Sequence, residues 1–205
     1  MKPLLPSAPR GFTLVELLIV MAIMTILVGI GAASFHSISS ASSLSSAREA
    51  ALAEFTQARQ LALARRLPVE VRLYQLPSYE AHDTGSPTVF RAMQTFLLDP
   101  DAGTNAVDKV VYFPKPVIVS TNAAASPLLQ QQTQTGSFLL PVIRANYRYI
   151  PILFNIDGLP ASLTATNSFF TLVLAHAAIK AGNLPANFVT LQLDPLTGRI
   201  FHYAP

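Results

Sequence analysis

The sequence predicts an α+β protein in which a long N-terminal helix packs on a C-terminal antiparallel β-sheet head. Three observations lead to this fold class. Residues 17–35 form an apolar run without a charged side chain. No proline lies between Arg10 and Leu67, so a helix can continue well past that run. After Pro68, short segments with alternating apolar and polar residues are separated by loops rich in proline or glycine, which is typical of antiparallel strands.

Composition limits the chain to one head and one anchoring segment. It has 205 residues, of which 51% are hydrophobic and only 12% are charged. The formal charge is +3, and too little of it lies in the head to indicate nucleic-acid binding by itself. Because there is no cysteine, disulfides and thiolate metal sites are excluded. The four histidines lack metal-binding spacing, so we expect no metal and no cofactor.

The apolar run at residues 17–35 is long enough to cross about 30 Å of hydrocarbon as a helix. Lys2 and Arg10 precede it, which predicts a cytoplasmic N-terminus and an extracytoplasmic head. A secretory signal cut within residues 31–34, Gly-Ala-Ala-Ser, is the alternative. Glu16 argues against that alternative, because a carboxylate beside an apolar span costs up to about 3 kcal/mol in the bilayer and usually has a function.

Residues 10–18, Arg-Gly-Phe-Thr-Leu-Val-Glu-Leu-Leu, closely resemble the signal of type IV prepilins and type II secretion pseudopilins. The resemblance implies a type IV pilin-like fold and cleavage by a prepilin peptidase on the cytoplasmic side, after Gly11. It also implies that the new N-terminal residue, Phe12, is N-methylated, and that Glu16 pairs with the amino group of Phe12 in a neighbouring subunit. An ammonium and a carboxylate that are each costly in lipid become tolerable when they neutralise each other.

The predicted helix extends beyond the membrane. From Phe12 to Arg66 it would measure roughly 80 Å, so its second half must serve the head. Pro68 is expected to end it, and a bend or break is allowed at Gly29, at Gly31 or in the serine-rich residues 37–46. The second half carries an apolar stripe at steps of three or four residues, formed by Leu44, Ala47, Ala51, Phe55, Ala58 and Ala62.

The predicted organisation has four parts: a cleaved leader (1–11), a transmembrane assembly helix (12–36), an amphipathic second half of the helix (37–67) and the head (68–205). Polar loops, which we expect to be exposed, occupy residues 77–87, 99–108 and 121–136. Strands are predicted at residues 69–74, 89–98, 110–120, 138–143, 147–156, 169–177, 188–193 and 199–203, with a hairpin loop at 194–198.

Three further segments resemble minor pseudopilins of the GspH/FimT type. They are the Ala/Arg-rich residues 58–69, the segment 153–158 with its Phe-x-x-x-Gly pattern, and the segment 193–200 with its Thr-Gly-Arg hairpin. The middle of the head, residues 76–145, is longer and richer in proline than that type.

These resemblances imply a structural subunit, of the minor pseudopilin kind, in a type II secretion pseudopilus or a type IV pilus of the inner membrane. Its expected partners are prepilin peptidase, other subunits and a secretion substrate. The alternative is a FimT-like minor pilin that binds DNA for uptake, weakly and with strong salt dependence, through Arg199, His202 and Lys180.

Neither catalysis nor calcium binding is predicted. The chain has no Gly-x-Ser-x-Gly, His-Glu-x-x-His or Walker motif, so we do not expect an enzyme. Asp99, Asp101 and Asp108 lack EF-hand spacing and are interpreted as a solvated acidic loop.

Overall fold

The computed structural model describes residues 12–78, 88–131, 134–136, 147–161, 163–178 and 184–205, with the side chains of residues 30–38 and 178 excepted. The chain divides into two compact units, Met1–Ser39 and Ser40–Pro205.

One long helix, α1 (Leu14–Arg65), spans 52 residues. It is helical throughout, so the break considered in the serine-rich residues 37–46 does not occur. Arg66 adopts a positive φ of 53°, a left-handed conformation that commonly follows a helix end. Pro68 then prevents continuation, because it has no N–H to donate to the helix.

In the first unit, the described part of α1 presents apolar side chains to its surroundings. The large apolar residues from Phe12 to Val28 are between 48% and 84% exposed. Within the described residues, no helix combines the length and the mean hydropathy that a bilayer crossing requires. Part of the predicted span, residues 30–35, lies outside the residues whose side chains are described.

The second unit holds an antiparallel sheet. Its strands are β1 (Val69–Pro77), β2 (Thr88–Asp99), β3 (Gly103–Ala106), β4 (Val111–Tyr112), β5 (Val117–Val119), β6 (Gln134–Gly136), β7 (Tyr147–Phe154), β8 (Phe169–Leu174), β9 (Phe188–Leu193) and β10 (Ile200–Tyr203). Their order among the described residues is β10-β9-β8-β5-β2-β1-β7-β6, with β3 and β4 also paired to β2. The described part of the unit also contains a 3-10 turn at Pro127–Gln130 and a short helix, α2 (Ala175–Ala178).

The apolar stripe predicted on α1 is confirmed, because it packs against the sheet and forms the core with it. All six of its residues are buried and belong to one cluster with side chains of β1, β5, β7, β8 and β9. Phe55 is the largest of the six, and its ring lies 6.3 Å from that of Phe154 and 6.0 Å from that of Phe170. A helix followed by an antiparallel sheet is the predicted α+β class.

A second cluster lies around Tyr74, Phe96, Tyr147 and Tyr149. Arg72 lies among these rings, 3.9 Å from the centre of the Phe96 ring, and pairs with Glu70. Because Arg72 is buried, this ion pair and the aromatic rings together compensate its lost hydration.

Several local predictions were wrong. The strand predicted at residues 110–120 is divided into β4 and β5, because Pro114 and Pro116 interrupt it and cannot donate ladder hydrogen bonds. The strand predicted at 169–177 ends at Leu174 and continues as α2. The loops predicted at 99–108 and 121–136 contain β3 and β6, and the second loop also buries Leu128 and Leu129. The strand predicted at 138–143 lies outside the described residues.

Candidate functional site

The N-terminal motif forms a reciprocal cap at the start of α1. The backbone N–H and the hydroxyl of Thr13 each donate to Oε2 of Glu16, both at 2.9 Å. In return, the N–H of Glu16 donates to Oγ1 of Thr13 at 3.2 Å. A threonine and a glutamate three residues apart are a capping box, which satisfies helix N–H groups that have no partner in the helix.

This cap fixes Glu16 in the first turn of the helix. Both contacts from Thr13 use Oε2, and Oε1 has no described partner, so that oxygen remains able to accept a further donor. The carboxylate also lies at the positive end of the helix dipole, which stabilises it when ionised. Phe12 precedes the cap and is 84% exposed, whereas Gly11 lies outside the described residues.

Thr13 is a residue that the sequence analysis did not single out. The signal was present, because Thr-x-x-Glu directly before an apolar run is the pattern of a capping box. The motif therefore contains a residue that orients the glutamate, in addition to the residues expected at the cleavage site.

The C-terminal hairpin carries two of the three basic residues predicted to bind DNA. Arg199 and His202 are both exposed, and Lys180 lies outside the described residues. The turn before them is organised by Asp194, whose carboxylate accepts hydrogen bonds from the Thr197 hydroxyl and the Leu196 N–H. These hydrogen bonds, that of Thr197 first, lower the pKa of Asp194.

The three segments that resemble the GspH/FimT type meet at one place in the head. Arg59 of α1 donates through Nε to the carbonyl of Thr197 at 3.1 Å. A Cβ on Gly198 would lie only 2.1 Å from the carbonyl oxygen of Gly158. A Cβ on Gly158 would in turn lie 2.9 Å from Cγ of Leu63 in α1. We call this contact of helix, 158 turn and C-terminal hairpin the glycine junction.

Two of the three acidic residues considered for calcium, Asp99 and Asp108, accept hydrogen bonds within the chain. Oδ1 of Asp99 accepts from the backbone N–H groups of Asp101 and Ala102, which closes a turn. Asp108 accepts a hydrogen bond from the Gln57 amide. No group of three or more His, Cys, Asp or Glu side chains with metal-binding geometry occurs in the described part of the chain.

Comparison with known proteins gives one match. Residues 7–32 match the family model of the prokaryotic N-terminal methylation motif. No curated protein and no solved structure matches the chain. The match covers the N-terminal motif alone and supports a type IV pilin-like prepilin, a structural subunit that is made with a leader and assembles with other subunits.

Proposed function

We propose that the chain is a minor structural subunit of a type II secretion pseudopilus or a type IV pilus. Prepilin peptidase cuts it after Gly11, and residues 12–36 hold it in the inner membrane as a single pass with a cytoplasmic N-terminus. The observation that carries the proposal is the N-terminal methylation motif at residues 7–32, in which Glu16 is held at the start of an exposed apolar helix.

The exposed apolar face of α1 supports both membrane anchoring and assembly. Thirteen large apolar side chains between Phe12 and Val28 are exposed. Burying one such side chain stabilises by about 1.5–3 kcal/mol, so together they strongly favour a lipid or protein environment over water. Lipid provides that environment before assembly, and the helices of other subunits provide it in the filament.

We propose that Glu16 forms an ion pair with a neighbouring subunit during assembly. Cleavage after Gly11 creates an ammonium on Phe12, which is the counter-ion that a carboxylate in an apolar surrounding requires. Because Thr13 already occupies Oε2 of Glu16, we propose that Oε1 accepts a hydrogen bond from the Phe12 amine of an adjacent subunit. Thr13 serves as the positioning residue, because its two hydrogen bonds fix Oε2.

The test compares Glu16→Ala with Glu49→Ala, which removes an exposed acid from the second half of the same helix. Membrane insertion should be unchanged in both variants, as measured by extraction of the membrane fraction. Filament incorporation of Glu16→Ala should fall, because removing one partner of a buried ion pair costs about 3 kcal/mol or more, on the order of a hundredfold in association. Incorporation of Glu16→Ala at the level of Glu49→Ala would contradict the proposed pairing.

The minor pseudopilin assignment is also part of the proposal. Its support is the glycine junction, because the three segments similar to the GspH/FimT type are distant in sequence and form one contact. Quantifying the chain against the other subunits of purified filaments tests this assignment. We expect it at a small fraction of the most abundant subunit, and equal abundance would contradict a minor role.

DNA capture by the displayed head is a second candidate. The exposed Arg199, followed by the exposed rings of Phe201 and Tyr203, supports it, since cations and aromatic rings together bind single strands. With so few cations, binding should be weak and should disappear as salt rises. Fluorescence anisotropy with labelled DNA at two salt concentrations tests this candidate, and binding that Arg199→Ala leaves unchanged would contradict it.

A further inference from the structure

We propose that the outer edge of β10 binds an extended segment of a different protein, which pairs with β10 as an added strand. This inference goes beyond the assembly function, because it concerns the C-terminal edge of the head and uses no residue of the N-terminal motif. Three observations support it: the edge of β10 that no described strand occupies, the exposed rings of Phe201 and Tyr203, and the exposed Arg199.

The first observation is that β10 ends the described sheet. It pairs with β9 on one side, with Phe201 opposite Gln192 and Tyr203 opposite Thr190, and no other described strand pairs with it. The N–H of Asp194 donates to the carbonyl of Arg199 at 2.8 Å. This hydrogen bond determines which residues of β10 direct their backbone groups toward β9. The backbone groups of Arg199, Phe201 and Tyr203 therefore face β9, and those of Ile200 and His202 face outward.

The unpaired backbone donors and acceptors along β10 determine which class of molecule can bind there. Only another extended polypeptide offers N–H and C=O groups at the matching spacing, which is how peptides are added to sheet edges. A helix satisfies its own backbone groups, and neither lipid nor nucleic acid carries such a row.

The second observation is the pair of exposed rings on β10. Phe201 and Tyr203 line a hollow of about 480 Å³ over the face of the sheet, together with Leu163, Gln192, Pro195 and Leu196. Leu196 is 85% exposed, Phe201 46% and Tyr203 55%. Because Phe201 and Tyr203 are two residues apart, they share one face of the strand and can contact alternate side chains of an added strand. Clustered exposed apolar residues of this kind mark interaction surfaces.

The third observation is an exposed cation near the rings. Arg199, two residues before Phe201, is exposed and has no ion pair among the described residues. A carboxylate placed opposite Arg199 gains an ion pair. The expected segment therefore has an acidic residue opposite Arg199 and large apolar residues opposite Phe201 and Tyr203.

The test measures binding of labelled eight-residue peptides to the full chain in detergent micelles by fluorescence anisotropy. The first peptide has two leucines and one glutamate at alternate positions, separated by threonines, and the second has lysine in place of the glutamate. A third copy of the first peptide is N-methylated on the amides that would face β10. We expect the first peptide to bind and N-methylation to weaken binding by about tenfold or more, because it removes the donors to the strand edge.

Two sets of variants locate the binding. Arg199→Glu should lose affinity for the glutamate peptide and gain affinity for the lysine peptide. His202→Pro removes an outward N–H and should lose binding, whereas His202→Ala keeps that N–H and should retain it. If the circular dichroism of His202→Pro shows misfolding, the N-methylated peptide on the unaltered chain decides the question.

Four results would overturn the proposal. They are no binding of the first peptide, equal binding of the N-methylated peptide, displacement of the peptide by single-stranded DNA, and self-association of the chain that the peptide blocks. The last two would assign the surface to nucleic acid and to a second copy of the chain, respectively. None of these results changes the expectation for Glu16→Ala, so a failure here is distinguishable from a failure of the assembly function.

Discussion

Replacing Gly198 with alanine tests whether the glycine junction holds the head together. Gly198 has φ +66°, and a Cβ there would lie 2.1 Å from the backbone oxygen of Gly158 and 3.1 Å from Nε of Arg59. Gly103 provides a matched control, because its φ of +77° is similar and nothing lies within 4 Å of its Cβ position. Both variants therefore place alanine in a left-handed backbone conformation, but only Gly198→Ala also brings a Cβ against the backbone of Gly158.

The magnitudes follow from these contacts. A left-handed conformation costs an ordinary residue about 1–2 kcal/mol, which both variants should lose. At Gly198 the hairpin must also move away from Gly158, because backbone cannot rotate aside as a flexible side chain can. That movement also breaks the Arg59–Thr197 hydrogen bond, which contributes about 1 kcal/mol. We expect Gly198→Ala to lose at least about 2 kcal/mol more than Gly103→Ala.

Urea unfolding of the full chain in detergent measures this difference. Far-UV circular dichroism and tyrosine fluorescence both serve as signals, since the chain has six tyrosines and no tryptophan. Equal losses of unfolding free energy in Gly198→Ala and Gly103→Ala would refute the reasoning, because they would show that the close approach of the two turns has no energetic weight.

Substitutions of Glu54, Phe55 and Arg72 test the packing of the head by the same unfolding measurement. Burial and, to a smaller extent, Asp108 raise the pKa of Glu54, although the Thr95 hydroxyl lowers it. The folded state therefore holds this proton more tightly than the unfolded state, and stability should fall as pH rises from the unfolded pKa through the folded one, by about 1.4 kcal/mol per unit of difference. Glu54→Gln should remove that fall above pH 4.5, and an unchanged pH profile would contradict it. Phe55→Ala should lose about 3–5 kcal/mol, because it leaves a cavity among the core rings, and a loss below about 1 kcal/mol would contradict the packing. Arg72→Ala should lose about 3–5 kcal/mol by leaving Glu70 unpaired, whereas Arg72→Met in a Glu70→Gln background should lose much less, and similar losses would show that the charge pairing is unimportant.

Local patterns predicted the helix and the longest strands well. The stripe in α1 is buried because a step of three or four residues places side chains on one face of any helix, whatever the rest of the fold. β1 was predictable for the same reason, because the alternation of apolar and polar residues is a property of the segment itself. The Thr13–Glu16 cap was equally local and could have been predicted from its spacing.

Features that depend on distant partners were not predictable. β3 forms from the polar residues Gly103–Ala106 only because β2 offers an open edge beside them. The burial of Leu128 likewise depends on the core cluster that it joins. The glycine junction required Gly158 and Gly198, which are distant in sequence, to lie close together. No pattern among neighbouring residues predicts such a contact.

In the proposed function, processing after Gly11 creates the amine that Glu16 requires for assembly. Mass spectrometry of the N-terminus, with membrane protein from cells with and without prepilin peptidase, measures this processing. We expect a mature chain that begins at N-methylated Phe12 when the peptidase is present and an intact leader when it is absent. A mature start near Ser34, or assembled filaments whose subunits retain the first eleven residues, would contradict it.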